Sequence, residues 1–124
     1  MTTEKKATAS IRNIVEEPWQ QFPGHFGGAL SKPLVRPENA GSRLVDYRIS
    51  TYQPMAYVET HAHKVQEQIY HVLEGEGSME IDGRRQIVRR HDVIFIPPGV
   101  AHSIRNDGLT DLTFIVVTTP AADA

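Results

Sequence analysis

The sequence predicts an all-β protein folded as a sandwich or barrel, and three observations lead there. Short alternating or apolar stretches recur at regular spacing, Gly-, Pro-, Asn- and Asp-rich turns separate them, and no helical periodicity outlasts about two turns. The 124 residues leave room for one domain and little more.

Residues 1–10 are small and polar and are expected to fray. Residues 11–40 are dense in Pro, Gly and isolated aromatics, and read as an irregular arm docked by Trp19, Phe22 and Phe26, with one short strand around Leu34-Val35. From Gly41 the texture changes. Residues 42–51 alternate, with Val45, Tyr47 and Ile49 on one face and Asp46, Arg48 and Ser50 on the other. Residues 57–62 and 68–73 are the next extended stretches. After the turn signal Gly75-Glu76-Gly77, residues 78–81 resume a strand, and Asp82-Gly83 is a hairpin signal bridging to residues 84–88. Residues 93–96 form an apolar run closed by Pro97-Pro98-Gly99. Residues 101–105 and 112–118 complete a set of about eight strands, with Asn106-Asp107-Gly108 turning between them. Closing the sheet, or folding it into a double-sheet jelly roll, would deal with its edges. The expected organisation is an arm over 1–40, exchanged with a partner subunit or partly flexible, a barrel over 41–119 and a tail over 120–124.

Composition excludes several function classes. A formal charge of −2, with no like-charge run beyond two residues, argues against nucleic acid or an anionic membrane as the main partner. The absence of cysteine removes disulfides, thiolate metal sites and cysteine nucleophiles. The first residues lack the apolar stretch of a signal peptide, and no stretch is long enough to span a membrane, so the cytoplasm is the default location.

The chemistry concentrates in two segments. His61 and His63, at i and i+2, project to one side only if the chain there is extended, and paired imidazoles make half a site for a first-row divalent metal. The remaining ligands must come from neighbouring strands. His61-x-His63-x4-Gln68-x6-Gly75 and Pro97-x-Gly99-x2-His102-x3-Asn106 resemble, in order and separation, the two signatures of the cupin superfamily. The resemblance covers roughly residues 42–118 and includes Tyr70, the Val72–Gly77 stretch and Asp92-Val93. It implies a jelly-roll, double-stranded β-helix barrel, a homodimer, and one divalent transition-metal ion per subunit (iron, manganese, zinc, nickel and cobalt all open). The implied ligands are His61, His63, Gln68 and His102. Three departures stand out. The leading glycine of each signature falls on Met55 and on His91, and Gln68 occupies the usual carboxylate position. Glu67 and Gln68 point to opposite faces of a regular strand; the spacing to Gly75 favours Gln68, and a bulge would be needed to bring in Glu67. A neutral donor set would leave the ion its full charge, favouring Lewis-acid chemistry while leaving dioxygen chemistry open.

Counting by twos from the ligands places Tyr70 and Val72, Glu59 and Tyr57, and Ile104 on the pocket face. Arg48 either orients a substrate carboxylate inside the barrel or is a solvated partner of Asp46 or Glu59 outside it. Tyr57 and Tyr70 suit hydrogen-bond donation or general-acid roles, beside the plainer role of core packing, and Glu59 could shuttle a proton. His25, His71 and His91 read as isolated surface histidines. The leading expectation is a metal-dependent enzyme, first an oxygenase, acting on a small anionic or carbonyl-bearing metabolite. A Lewis-acid isomerase, decarboxylase or lyase and a non-catalytic binding or sensing barrel are the alternatives, and the choice among them is analogy.

Overall fold

Ten strands follow one another in the computed structural model, which describes residues 5–124. They are β1 (His25–Phe26), β2 (Ala29–Val35), β3 (Asp46–Tyr52), β4 (Tyr57–Val58), β5 (Glu67–Glu74), β6 (Glu76–Ile81), β7 (Arg84–Arg89), β8 (Val93–Ile96), β9 (His102–Arg105) and β10 (Leu112–Thr119). They form two antiparallel five-stranded sheets, ordered β1-β4-β9-β6-β7 and β2-β3-β10-β5-β8. Among the described residues the sheets do not close into one continuous barrel, and the jelly roll takes the double-sheet form.

Strict alternation positions the site. β5 buries Gln68, Tyr70 and Val72 and turns Glu67, Ile69 and His71 outward, while β10 buries Leu112, Phe114, Val116 and Thr118. Antiparallel register sets these side chains in rungs: Asp46, Thr118 and Gln68 on one, Arg48, Val116 and Tyr70 on the next, then Ser50, Phe114 and Val72, then Tyr52 with Leu112. The inner face therefore grades from polar to apolar along the strands. Val72, Met79, Ile104, Leu112 and Phe114, with Ile96 beside Gln68, are fully buried and belong to the core. Asn106, also fully buried, donates to the carbonyls of Tyr52 (2.7 Å) and Thr110 (2.8 Å) and accepts from the Gly108 N–H (2.9 Å), so that one amide ties the end of β3 to the loop between β9 and β10.

All eight stretches expected after residue 41 contain strands, with shifted ends. The largest shift is at 57–62, where β4 stops at Val58 and pairing resumes only at His61. The arm is more ordered than its composition suggests. β2 is seven residues long and pairs with β3, and its Pro33 is tolerated because β2 is an edge strand needing no further N–H donors. A short 3-10 helix (Ile14–Glu16) capped by Asn13 precedes it. Of the expected fraying stretch, residues 1–4 lie outside the described residues, and Lys5 donates its N–H to the Pro37 carbonyl. Met55 and His91, at the two positions where the resemblance places glycine, have φ of 78° and 77°. The left-handed turns are kept without the residue that adopts them most easily. No helix is long and apolar enough to cross a membrane among the described residues.

Candidate metal centre

Backbone pairing brings the histidines together. The N–H of His61 donates to the His102 carbonyl (3.0 Å) and the N–H of His102 to the His61 carbonyl (2.9 Å), so the two signatures meet as one hydrogen-bonded pair. His63 follows two residues later, its carbonyl fixed by the Gly99 N–H at 2.7 Å. The ligand atoms of His61, His63 and His102 lie within 4.8 Å of one another.

The hydrogen bonds decide the tautomers. His61 Nδ1 lies 2.7 Å from the Glu59 carbonyl and His102 Nδ1 lies 2.9 Å from the Val100 carbonyl. A carbonyl only accepts, so each Nδ1 carries the proton and each Nε2 a lone pair. His63 Nε2 is buried without any hydrogen-bond partner. Gln68 completes the group: its amide donates to Thr118 Oγ1 at 3.1 Å, which leaves Oε1 at 2.9 Å from His102 Nε2. In that arrangement two lone pairs face each other with no proton between them. A cation in front of both resolves the conflict, and without one the amide can turn over and give its N–H to His102. Protonation of His102 is the poorer solution, because burial, together with the charges of His61 and His63, overrides the Val100 hydrogen bond and holds its pKa down at about 4. Burial, then His61, also lowers the pKa of His63, against the opposing pull of Asp123 and Gln68. The four donors suit a divalent transition metal: three imidazoles gathered within 4.8 Å and one amide oxygen beside His102.

The centre opens into a cavity of about 390 Å³, large enough for a small metabolite. Gln68 and Tyr70 line it from β5, and Glu67 is exposed on the opposite face, as the spacing to Gly75 favours. Burial holds the Tyr70 phenol well above its ordinary pKa, so it stays a proton donor, and its hydroxyl points to Gln68 Oε1 at 3.4 Å. Glu59 reaches the cavity from the stretch between β4 and His61. Arg48 combines features of both expected arrangements. It lines the cavity, yet grips Asp46 through Nε (2.7 Å) and Nη2 (3.0 Å), and its guanidinium lies 4.7 Å from the Phe22 ring.

Four sequence-level placements need correction. Val72 and Ile104 lie in the fully buried apolar core and do not line the cavity. Tyr57 does not line the cavity: its ring packs on Phe26 (5.4 Å between centroids) and beneath the Arg105 guanidinium (4.9 Å). Counting by twos fails there because the pleat ends at Val58, and both Val58 and Glu59 face the cavity. His25 is no isolated surface residue. With Phe22 it forms the cavity wall supplied by the arm, its Nδ1 on the Pro23 carbonyl at 3.0 Å, and burial foremost lowers its pKa. His71 and His91 are exposed, as expected. Nothing in the spacing from the histidine signature could have found His25 or Phe22, which reach the site only through the pairing of β1 with β4 and the Gln20–Ser31 bridge beside β2.

Comparison with known proteins decides the family. The family described as cupin domain matches residues 48–118. The protein is a cupin. Among curated proteins this cupin is 39% identical over 64 residues to an oxalate-binding protein of Thermotoga maritima. It is 38% identical over 60 residues to an uncharacterized protein of Methanocaldococcus jannaschii. The matches span about half of each chain, 52% of this one and 53% of the first relative, 48% of both for the second. Among solved structures it resembles a predicted oxalate decarboxylase of Thermotoga maritima, with a TM-score of 0.81 and 26% identity over 90% of this chain and 99% of that one. The polyketide cyclase RemF of Streptomyces resistomycificus shares the fold, with a TM-score of 0.76 and 21% identity over 90% of this chain and 80% of its own.

Proposed function

We propose that this cupin is a metal-dependent enzyme acting on a small anionic or carbonyl-bearing metabolite, with the ion held by His61, His63, His102 and Gln68. The observation that carries the proposal is the gathering of three histidines with ligand atoms within 4.8 Å of one another, His63 Nε2 buried and unpartnered, and the Gln68 amide oxygen 2.9 Å from His102 Nε2. When bound, the ion supplies a Lewis acid whose charge a neutral donor set leaves uncompensated. That donor chemistry favours decarboxylation, isomerisation or elimination over the oxygenation expected first from sequence. The likeness to an oxalate-binding protein and to a predicted oxalate decarboxylase supports a small carboxylate as substrate.

The chain's own groups divide the remaining work. Arg48 keeps N–H groups beyond the two spent on Asp46, and these can orient a substrate carboxylate. Tyr70 donates a hydrogen bond and keeps its proton. Apart from the candidate ligands and the Arg48-bound Asp46, Glu59 and His25 are the cavity groups able to take or return a proton. We also propose a homodimer. Ile69, Val93 and Phe95 lie exposed and adjacent on the outer face of β5 and β8, and burying them offers a reason to pair.

Elemental analysis of the purified protein is the direct test, followed by parallel assays of dioxygen uptake and carbon dioxide release on small mono- and dicarboxylates. The expected result is close to one transition-metal ion per chain and turnover without dioxygen. Dioxygen consumption coupled to turnover would restore the oxygenase. Metal and ligand binding without turnover would make the protein a binding barrel, and failure to retain or take up any metal would remove the metal-centre reading.

A further inference from the structure

We infer that Asp123, in the segment after β10, is a positioning residue for the histidine centre, clasping the turn that joins His63 to Gln68. The inference rests on the metal-centre reading. Between those two residues the chain makes no sheet: β5 begins at Glu67, and the amides of residues 64–66 need other acceptors. Asp123 supplies them. Its Oδ2 accepts from the Lys64 N–H at 2.9 Å, and its Oδ1 from the Val65 N–H at 2.7 Å and the Gln66 N–H at 3.2 Å. Three successive N–H groups aimed at one carboxylate form a nest for an anion, occupied here by a residue of the same chain. A second rivet runs the other way, from buried Gln66 Nε2 to the Pro120 carbonyl at 3.0 Å.

The same carboxylate faces a candidate ligand. Asp123 Oδ2 lies 3.8 Å from His63 Nδ1, beyond a direct hydrogen bond but close enough to favour a proton on that nitrogen. With the proton there, the buried and unpartnered Nε2 of His63 carries its lone pair toward the centre. The clasp thus sets both the backbone between two donors and the tautomer of one. In Asp123→Asn one oxygen can still accept from Val65 and Gln66, but an NH2 group then confronts Lys64 N–H and His63 Nδ1–H.

The test is made on the full chain with zinc as the probe. Chelator competition should show zinc affinity in Asp123→Asn reduced about 10- to 100-fold, the range seen when a partner behind a metal-ligating histidine is lost. Nitrogen-15 NMR of the histidine rings in metal-free protein should show His63 as the Nδ1–H tautomer in the wild type and a shift away from it in the variant. A lower melting temperature with unchanged zinc affinity and unchanged His63 tautomer would overturn the inference, since a merely structural clasp predicts that pattern. A wild-type His63 protonated on Nε2 would overturn it too. If the wild type bound no zinc, the metal-centre reading would fall, while the tautomer measurement would still decide the clasp.

Discussion

In metal-free protein His102 gives rise to a pH dependence of stability. In the unfolded chain its imidazole has the ordinary pKa of 6.5, whereas in the folded protein burial holds it at about 4. Above pH 6.5 both states carry the neutral ring, and this histidine leaves stability at its full value. As pH falls below 6.5 the unfolded chain takes up a proton that the folded site refuses. Stability then declines, with a limiting slope of about 1.4 kcal/mol per pH unit for one proton. The loss is complete once pH has passed through the folded value, and the gap from 6.5 to about 4 amounts to about 3 kcal/mol. His63, whose folded pKa is also lowered, adds to the effect in the same direction.

Urea denaturation of metal-free protein over that pH window reads the slope directly, and His102→Gln is the control, because it removes the titrating ring. The variant should lose about one proton's worth of slope between pH 6.5 and about 4. Equal slopes in the two proteins would refute the reasoning, since they would mean that His102 titrates alike folded and unfolded.

Three further outcomes follow from the same geometry. His61→Ala removes one of three converging imidazoles and should abolish metal retention on dialysis; unchanged metal content would show that the ion sits elsewhere. Gln68→Glu places a charge beside His102 Nε2 and should change the order of metal preference by at least about tenfold in competition assays. Glu67→Gln, on the outer face, should leave that order alone, and the reverse pattern would exchange their roles. Asn106→Ala breaks three hydrogen bonds in a fully buried place and should cost about 3 kcal/mol in denaturant unfolding, with an effect below about 1 kcal/mol showing that the backbone there closes up without it.

The parts of the fold that were legible in the sequence are those ruled by alternation. β3, β5 and β10 alternate, so counting by twos from Gln68 puts Tyr70 on its face, whereas alternation leaves Arg48 open between two arrangements whose features it combines. Tyr57 is misplaced by the same counting because β4 lasts two residues and the chain reaches His61 through an unpaired stretch. Only the end of β2, at Leu34-Val35, is legible as a strand, because Gly27-Gly28 precedes it and Pro33 interrupts it. Those residues announce a loop in isolation, and only an edge position excuses the proline. His25, Phe22 and Asp123 belong to the site through pairings and contacts across tens of residues, for which a single sequence carries no local periodicity.

The rungs of the inner face explain why so many polar side chains can be buried here without emptying the core of its stabilising role. Asp46, Gln68 and Thr118 share one end of the sheet, and Tyr52, Val72, Leu112 and Phe114 occupy the other. Two buried polar groups at the first end have a partner within the same end: Asp46 has Arg48, and the Gln68 amide N–H has Thr118. Desolvation is therefore offset locally, with no demand on the apolar packing. The exceptions are His63 Nε2, buried without a partner, and the facing lone pairs of Gln68 Oε1 and His102 Nε2. Orphaned lone pairs are costly in a buried place, and the cost is understandable if they are kept for a cation.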